Sequence, residues 1–116
     1  MSKHSEGQDA ELIALQFLTN RGLKPITQNY RCKAGEIDLI MRDDKTLVFV
    51  EVRLRKNANF GGAAGSITEQ KRQRIIRAAE HFLLNLSKTP PCRFDAILMN
   101  GLSMDRVDWV RDAFSA

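Results

Sequence analysis

Two carboxylates stand inside apolar segments of this sequence, and their position calls for a chemical reason. Asp38 lies in GEIDLI (residues 35–40), and Glu51 lies in VFVEVRLRK (residues 48–56). An ionised carboxylate removed from water costs several kcal/mol unless it is paired, hydrogen-bonded or bound to a metal. On neighbouring strands the two groups repel each other, and a hard divalent cation with oxygen ligands removes that repulsion. The pattern therefore predicts a cation site formed by Asp38 and Glu51.

Arg53 follows Glu51 by two residues, on the same face of the predicted strand, and two roles are open to it. Beside a bound phosphate, its guanidinium would neutralise charge that develops in a transition state. In the alternative, Arg53 only forms a structural ion pair with Glu51, and Glu36 caps a turn. The residues alone leave both roles open.

Basic residues cluster between positions 53 and 77, where Glu69 is the only acidic residue. Such a cluster attracts polyanions, although a solvated helix face has the same composition. The net charge of the whole chain is +4. The cluster consists of Arg53, Arg55, Lys56, Lys71, Arg72, Arg74 and Arg77.

Hydrophobic periodicity predicts the elements that must position these groups. A first helix over residues 8–21 begins after a capping box of Ser5 and Gln8. A second helix, opened by the capping box SITE at Ser66, runs to about residue 86, and its inner stripe extends to Lys71. The predicted strands cover residues 26–31, 36–43, 46–55 and 92–99, with a short strand or a helical turn over 105–114.

The order αβββαβ predicts an α/β fold of three layers, with a helix on each side of a mixed central sheet. In the strand over residues 36–43, period 2 predicts Ile37, Leu39 and Met41 on one face and Asp38 on the other. A turn at residues 43–45 brings Asp38 close to Glu51 on the next strand.

The length of 116 residues predicts one domain, spanning residues 1–116. No apolar run reaches the roughly 18 residues of a membrane span, and the polar N-terminus does not resemble a signal peptide, so we expect a cytoplasmic protein with no membrane partner. Cys32 and Cys92 are predicted to be free thiols, and His4 and His81 are too isolated for a zinc site or a catalytic dyad.

The glycine-rich stretch at residues 61–65 lacks the Lys-Ser/Thr pair of a P-loop, so it is not expected to bind a nucleotide. A loop that closes over nucleic acid fits it better. The amide of Ser66, at the start of the second helix, would then lie near a phosphate.

Several motifs together resemble the YraN-like family of small bacterial proteins. They are G-x-x-x-E-x-x-A (residues 7–14), AGEIDLI, LVFVEVR, FGGAAGSIT and RFDAI, and they extend over nearly the whole chain. The pattern from Asp38 to Glu51-x-Arg53 is also similar to the D…(D/E)-x-K signature of the restriction-endonuclease-like nucleases. That superfamily implies a restriction-endonuclease-like fold.

The resemblance implies that Asp38 and Glu51 bind Mg²⁺, which Mn²⁺ can replace. It adds the backbone carbonyl of Val52 as a ligand, and Glu11 as a ligand that binds directly or through water. The implied activity is hydrolysis of DNA phosphodiester bonds, including branched or structured DNA, for which a homodimer would match two equivalent strands. The residues expected to contact nucleic acid are Arg53, Arg55, Lys56, Ser66, Lys71, Arg72 and Arg74.

The sequence departs from the nuclease signature at Arg53, where the superfamily has lysine. Arginine does not act as a general base at ordinary pH, but it can stabilise a phosphate, and Lys71 is a candidate to replace the missing amine. The alternative function is a nucleic-acid-binding domain that keeps the nuclease fold without cleaving. A weaker alternative is a protein-interaction domain with a solvated basic face.

Overall fold

A computed structural model describes residues 5–55 and 67–116. Within these ranges the protein is an α/β fold with a five-stranded mixed sheet and two helices longer than one turn. A short 3₁₀ helix, Met104–Arg106, precedes the last strand. The elements are α1 (Glu6–Asn20), β1 (Lys24–Cys32), β2 (Gly35–Asp43), β3 (Thr46–Leu54), α2 (Glu69–Leu83), β4 (Cys92–Met99) and β5 (Val107–Phe114).

The strands lie in chain order, β1-β2-β3-β4-β5. The β3–β4 pair is parallel and the other pairs are antiparallel. The predicted α/β class and mixed sheet are therefore confirmed. Of the two alternatives for residues 105–114, the strand is correct, and it forms the edge beside β4.

The two helices pack on opposite faces of the sheet because β3 is apolar on both faces. Val48 and Val50 belong to the core under α1, whereas Leu47 and Phe49 belong to the core under α2. A strand covered on both faces is held rigidly in the middle of the domain. Neither of the helices described combines the length and the apolar character needed to cross a membrane.

The helix starts show one prediction confirmed and one wrong. Ser5 and Gln8 form the predicted capping box, with N···O distances of 2.9 and 3.1 Å. The second helix is capped by Thr68, not Ser66, and the Thr68 hydroxyl accepts from the Lys71 N–H at 3.1 Å. Starting the helix at Glu69 buries Ile67 in the core and places Lys71 in the first turn.

The predicted alternation along β2 is wrong at its start. Leu39 and Met41 pack under α1, but Ile37 packs under α2 together with Ile40. The break falls at Asp38, where the regular register of β2 with β3 ends at the pair Leu39↔Val50. Asp38 is therefore a point of irregular backbone, not one member of a regular polar face.

Gly35 lets α2 lie directly on the start of β2. A Cβ atom at this position would stand 2.9 Å from the carbonyl oxygen of Arg74, a distance that side chains do not tolerate. Glycine here allows backbone to approach backbone. The beginning of β2, which carries Asp38, is thereby held against the helix that carries Lys71.

A buried carboxylate, Asp95, joins β4 to β5. It has no exposed surface, and it accepts hydrogen bonds from Arg93 Nε at 3.0 Å, Trp109 Nε1 at 2.9 Å and the Asp112 N–H at 2.9 Å. The β4–β5 register shifts at this point, and Asp112 has a φ of 53°. Asp95 thus satisfies donors that the irregular edge leaves without main-chain acceptors.

We expect Asp95→Asn to destabilise the fold by about 3–5 kcal/mol, because it removes one partner of a buried charged network. Urea unfolding of the two proteins measures the difference. Asp44→Asn, the same change at an exposed turn residue, should alter the free energy of unfolding by less than about 0.5 kcal/mol. Equal effects of the two substitutions would contradict this role of Asp95.

Candidate active site

Asp38 occupies the point where β2 and β3 stop pairing regularly. Its Oδ2 accepts a hydrogen bond from the Val52 N–H at 2.8 Å, so a carboxylate takes the place of a main-chain acceptor on β2. Continuing the register of Leu39↔Val50 by one residue would set Asp38 directly opposite Glu51. The predicted proximity of the two carboxylates is therefore present, and Val52 contributes its N–H to Asp38.

Glu51 is buried, with 4% of its surface exposed, on the side of the sheet that faces α2. Its Oε2 lies 3.5 Å from Lys71 Nζ and 3.7 Å from Arg53 Nε. Its carboxyl group is also within hydrogen-bonding reach of Asp38. The structure thus brings together the four side chains to which the sequence assigned catalysis.

The surroundings of Glu51 favour its neutral form. Burial first, and then the hydrogen bond and negative charge of Asp38, raise the pKa of Glu51 to about 8. The positive charges of Lys71 and Arg53 act in the opposite direction, but they do not offset the other effects. A carboxyl group with such a pKa, in a cluster of charged groups, is typical of a functional site.

Glu11 reaches the same region from α1. Burial first, and then the charge of Asp38, raise the pKa of Glu11, while a hydrogen bond with the Asn29 side chain opposes the rise. Asn29 has a φ of 52° within β1, a left-handed conformation that asparagine tolerates better than most residues. Sequence reasoning missed Asn29, although asparagine inside a strand is unusual enough to mark an irregular position.

The donor set fits a hard cation. Carboxylate oxygens suit Mg²⁺ or Mn²⁺, and Mg²⁺ is commonly held by one or two carboxylates together with water and phosphate. Within residues 5–55 and 67–116, no group of three or more Asp, Glu, His or Cys side chains meets the geometry of a metal site. Asp38 and Glu51 would hold the cation directly. Glu11 would bind it through a water molecule more readily than directly.

The remaining basic residues divide into two groups. Arg74 lines a surface cavity next to the site. Arg55 and Arg72 contact residues toward β5: Arg55 forms an ion pair with Asp108 at 3.0 Å, and Arg72 lies 5.8 Å from the Phe114 ring. Lys56 and Ser66 lie outside the described residues.

The sequence model of the "Uncharacterised protein family UPF0102" matches residues 10–99. A UPF0102 protein of Methylobacillus flagellatus is 54% identical over 110 residues, covering 95% of this chain and 96% of that protein. UPF0102 proteins of Nitrosospira multiformis and Cupriavidus taiwanensis are 51% and 52% identical, over 98% and 99% of this chain and 96% and 86% of their own lengths.

The pKa of Glu51 predicts that stability depends on pH when no divalent cation is present. The native protein keeps a proton on Glu51 up to about pH 8, whereas the unfolded chain loses it near 4.5. Because the native state binds more protons in this interval, the free energy of unfolding falls as the pH rises through it. The fall has an upper limit of roughly 5 kcal/mol, since one pKa unit corresponds to about 1.4 kcal/mol.

Urea unfolding in a chelator at about pH 5 and about pH 9 measures this dependence. Glu51→Gln stays neutral throughout, so its stability should change much less over the same interval. Parallel pH profiles for the wild type and Glu51→Gln would contradict the raised pKa of Glu51.

Proposed function

We propose that this chain, which belongs to the uncharacterised protein family UPF0102 that its YraN-like motifs predict, is a metal-dependent endonuclease acting on DNA. One observation carries the proposal. Asp38 and the buried Glu51 lie side by side where two strands separate, with Lys71 and Arg53 within 4 Å of Glu51. This arrangement resembles the Asp and Glu-x-Lys site of the restriction-endonuclease-like nucleases, and it supports their fold for this chain.

A contribution to the stability of the fold does not explain why Glu51 is buried beside Asp38, since this placement costs free energy. Burial of Glu51 beside the half-buried Asp38 raises the pKa of Glu51 to about 8, so the folded chain must hold a proton there or bind a cation. Asp95 is also buried, but hydrogen-bond donors surround it, as expected for a carboxylate with a purely structural role. Among the described residues, Glu51 instead contacts two cations at 3.5 and 3.7 Å and the neighbouring carboxyl group of Asp38.

In the proposed site, Asp38 and Glu51 would hold Mg²⁺, with Glu51 as an ionised carboxylate. The bound ion would supply Lewis-acid polarisation of a phosphoryl oxygen and increase the acidity of a bound water. The Val52 N–H fixes the orientation of the Asp38 carboxylate, leaving its other oxygen for the cation. Glu11 orients water on the α1 side.

Lys71 and Arg53 neutralise the negative charge on the phosphate as it reacts. Their long contacts with Glu51, 3.5 and 3.7 Å, leave both side chains able to reach a substrate. Arg53 binds phosphate oxygens in a bidentate manner, and neither role needs a neutral base. The exposed arginines of α2 bind the nucleic-acid backbone electrostatically.

We expect labelled linear, flap and four-way DNA to be cleaved in Mg²⁺ or Mn²⁺, and Asp38→Asn and Glu51→Gln each to lower the rate at least about 100-fold. Asp44→Asn is the matched control, because it removes an exposed carboxylate far from the site and should leave the rate unchanged. RNA of the same sequence tests the choice of DNA. Cleavage that survives both site substitutions would contradict the assignment.

The same experiment tests the alternative function. Binding that weakens steeply with salt, without cleavage by any variant, would favour a nucleic-acid-binding domain that has lost the chemistry. Failure to bind any nucleic acid would favour the protein-interaction domain.

We expect Arg53→Ala and Lys71→Ala each to reduce the single-turnover rate by about 10²-fold, because their charges act on the reacting phosphate, and Arg53→Ala to have a much smaller effect on DNA affinity. Arg53→Lys keeps the charge but loses the planar fork, so its rate should lie between those of the wild type and Arg53→Ala. A rate above that of the wild type for Arg53→Lys would show that a neutral amine serves as a base, against the role given to Arg53.

A further inference from the structure

A cavity of about 290 Å³ opens between the β1–β2 turn and the first turns of α2. We infer that it binds a second phosphate of the nucleic-acid strand, next to the phosphate held at Asp38 and Glu51. The ligand in this inference rests on the proposed function. The described residues that line the cavity are Arg31, Cys32, Gly35, Glu36, Lys71 and Arg74.

The charge of this lining selects an anion. Among the described residues it contains the cations Arg31, Lys71 and Arg74 against one carboxylate, Glu36. Arg31 Nε lies 3.3 Å from Glu36 Oε2, but the two side chains are 75% and 50% exposed. An ion pair so exposed is weak, so a phosphate can take Arg31 from Glu36. Arginine also matches the oxygens of a phosphate in a bidentate geometry.

Lys71 connects the cavity to the carboxylate site. It lines the cavity, and its Nζ lies 3.5 Å from Glu51 Oε2. A strand whose reacting phosphate lies at Glu51 would therefore place a neighbouring phosphate between Arg31 and Arg74. The cavity volume of about 290 Å³ is large enough for one phosphate and part of its sugar.

Gly35 gives the cavity a rigid wall. Because no side chain separates Gly35 from the Arg74 carbonyl oxygen, the β1–β2 turn and α2 are in direct contact there. The backbones that carry Arg31 and Arg74 are thus held at a fixed separation before any ligand binds. Such preorganisation is what a phosphate subsite requires. An internal phosphodiester and a terminal phosphate share this chemistry.

Cys32 provides a direct probe, because it lines the cavity and the sequence contains just one other cysteine, Cys92. In Cys92→Ser, the rate of alkylation by iodoacetamide reports on Cys32 alone. Short DNA oligonucleotides, with either a 5′-hydroxyl or a 5′-phosphate, are added without divalent cation and at low salt. We expect bound DNA to slow the alkylation about tenfold, as a charged ligand occupies the cavity.

Matched charge variants test which residues hold the phosphate. Arg31→Ala or Arg74→Ala, each added to Cys92→Ser, should lose most of the protection and weaken DNA binding about tenfold. Arg42→Ala removes an exposed charge at the opposite end of β2 and should keep the protection. Protection by both oligonucleotides assigns the cavity to an internal phosphodiester, and protection by the 5′-phosphate form alone assigns it to a strand end.

DNA that binds without slowing the alkylation of Cys32 would overturn the inference, as would equal effects of Arg31→Ala, Arg74→Ala and Arg42→Ala. Cleavage in Mg²⁺, assayed separately, distinguishes this failure from failure of the proposed function. Protection of Cys32 with no cleavage keeps the cavity and rejects the nuclease, whereas cleavage with unprotected Cys32 does the reverse. Absence of any DNA binding overturns both.

Discussion

The hydrogen bond from the Val52 N–H to Asp38 Oδ2 determines the geometry of the whole site. A main-chain donor in the middle of a sheet needs an acceptor, and here a carboxylate supplies it where the β2–β3 register ends. The regular alternation of β2 breaks at the same residue, so that Ile37 enters the core under α2. Asp38 therefore lies between the two faces of the sheet and interacts with Glu51 and with Glu11.

Two carboxylates are buried in the part of the chain that the structure describes, and their surroundings differ in a way that separates structure from function. Asp95 is surrounded by donors from Arg93, Trp109 and the Asp112 N–H near the irregular end of β5, so its burial stabilises the fold. Among the described residues, Glu51 has two cations at 3.5 and 3.7 Å and a neighbouring carboxylate, and burial raises its pKa to about 8. Hydrogen bonds within the protein satisfy Asp95, whereas Glu51 requires a proton or a bound cation.

Local patterns in the sequence predicted the features that depend on neighbouring residues. The α/β class, the strand β4 and the Ser5–Gln8 capping box follow from short-range periodicity and composition, and all are present. The proximity of Asp38 and Glu51 was predictable too, because a tight turn joins their strands. Long-range contacts caused the errors. The displacement of Ile37 depends on a side chain bonding to the backbone of the next strand, which period 2 does not reveal.

Other parts of the site were not visible in the sequence for the same reason. Asn29 contacts Glu11 from a position in β1 where the backbone is left-handed. Arg31 and Arg74 line the same cavity because Gly35 lets α2 approach β2. The start of α2 was misplaced because Ser66 and Thr68 are both good N-cap residues, and burial of Ile67 decides between them. Tertiary packing, and not the local preference of the residues, determines each of these features.

We propose that Asp38 and Glu51 together form a cation site, and anomalous scattering from a Mn²⁺-soaked crystal would locate the ion. We expect one strong peak between the two carboxylates in the wild type, and its loss in Asp38→Asn and Glu51→Gln crystals. No peak at saturating Mn²⁺, or a peak that persists unchanged in both variants, would contradict it.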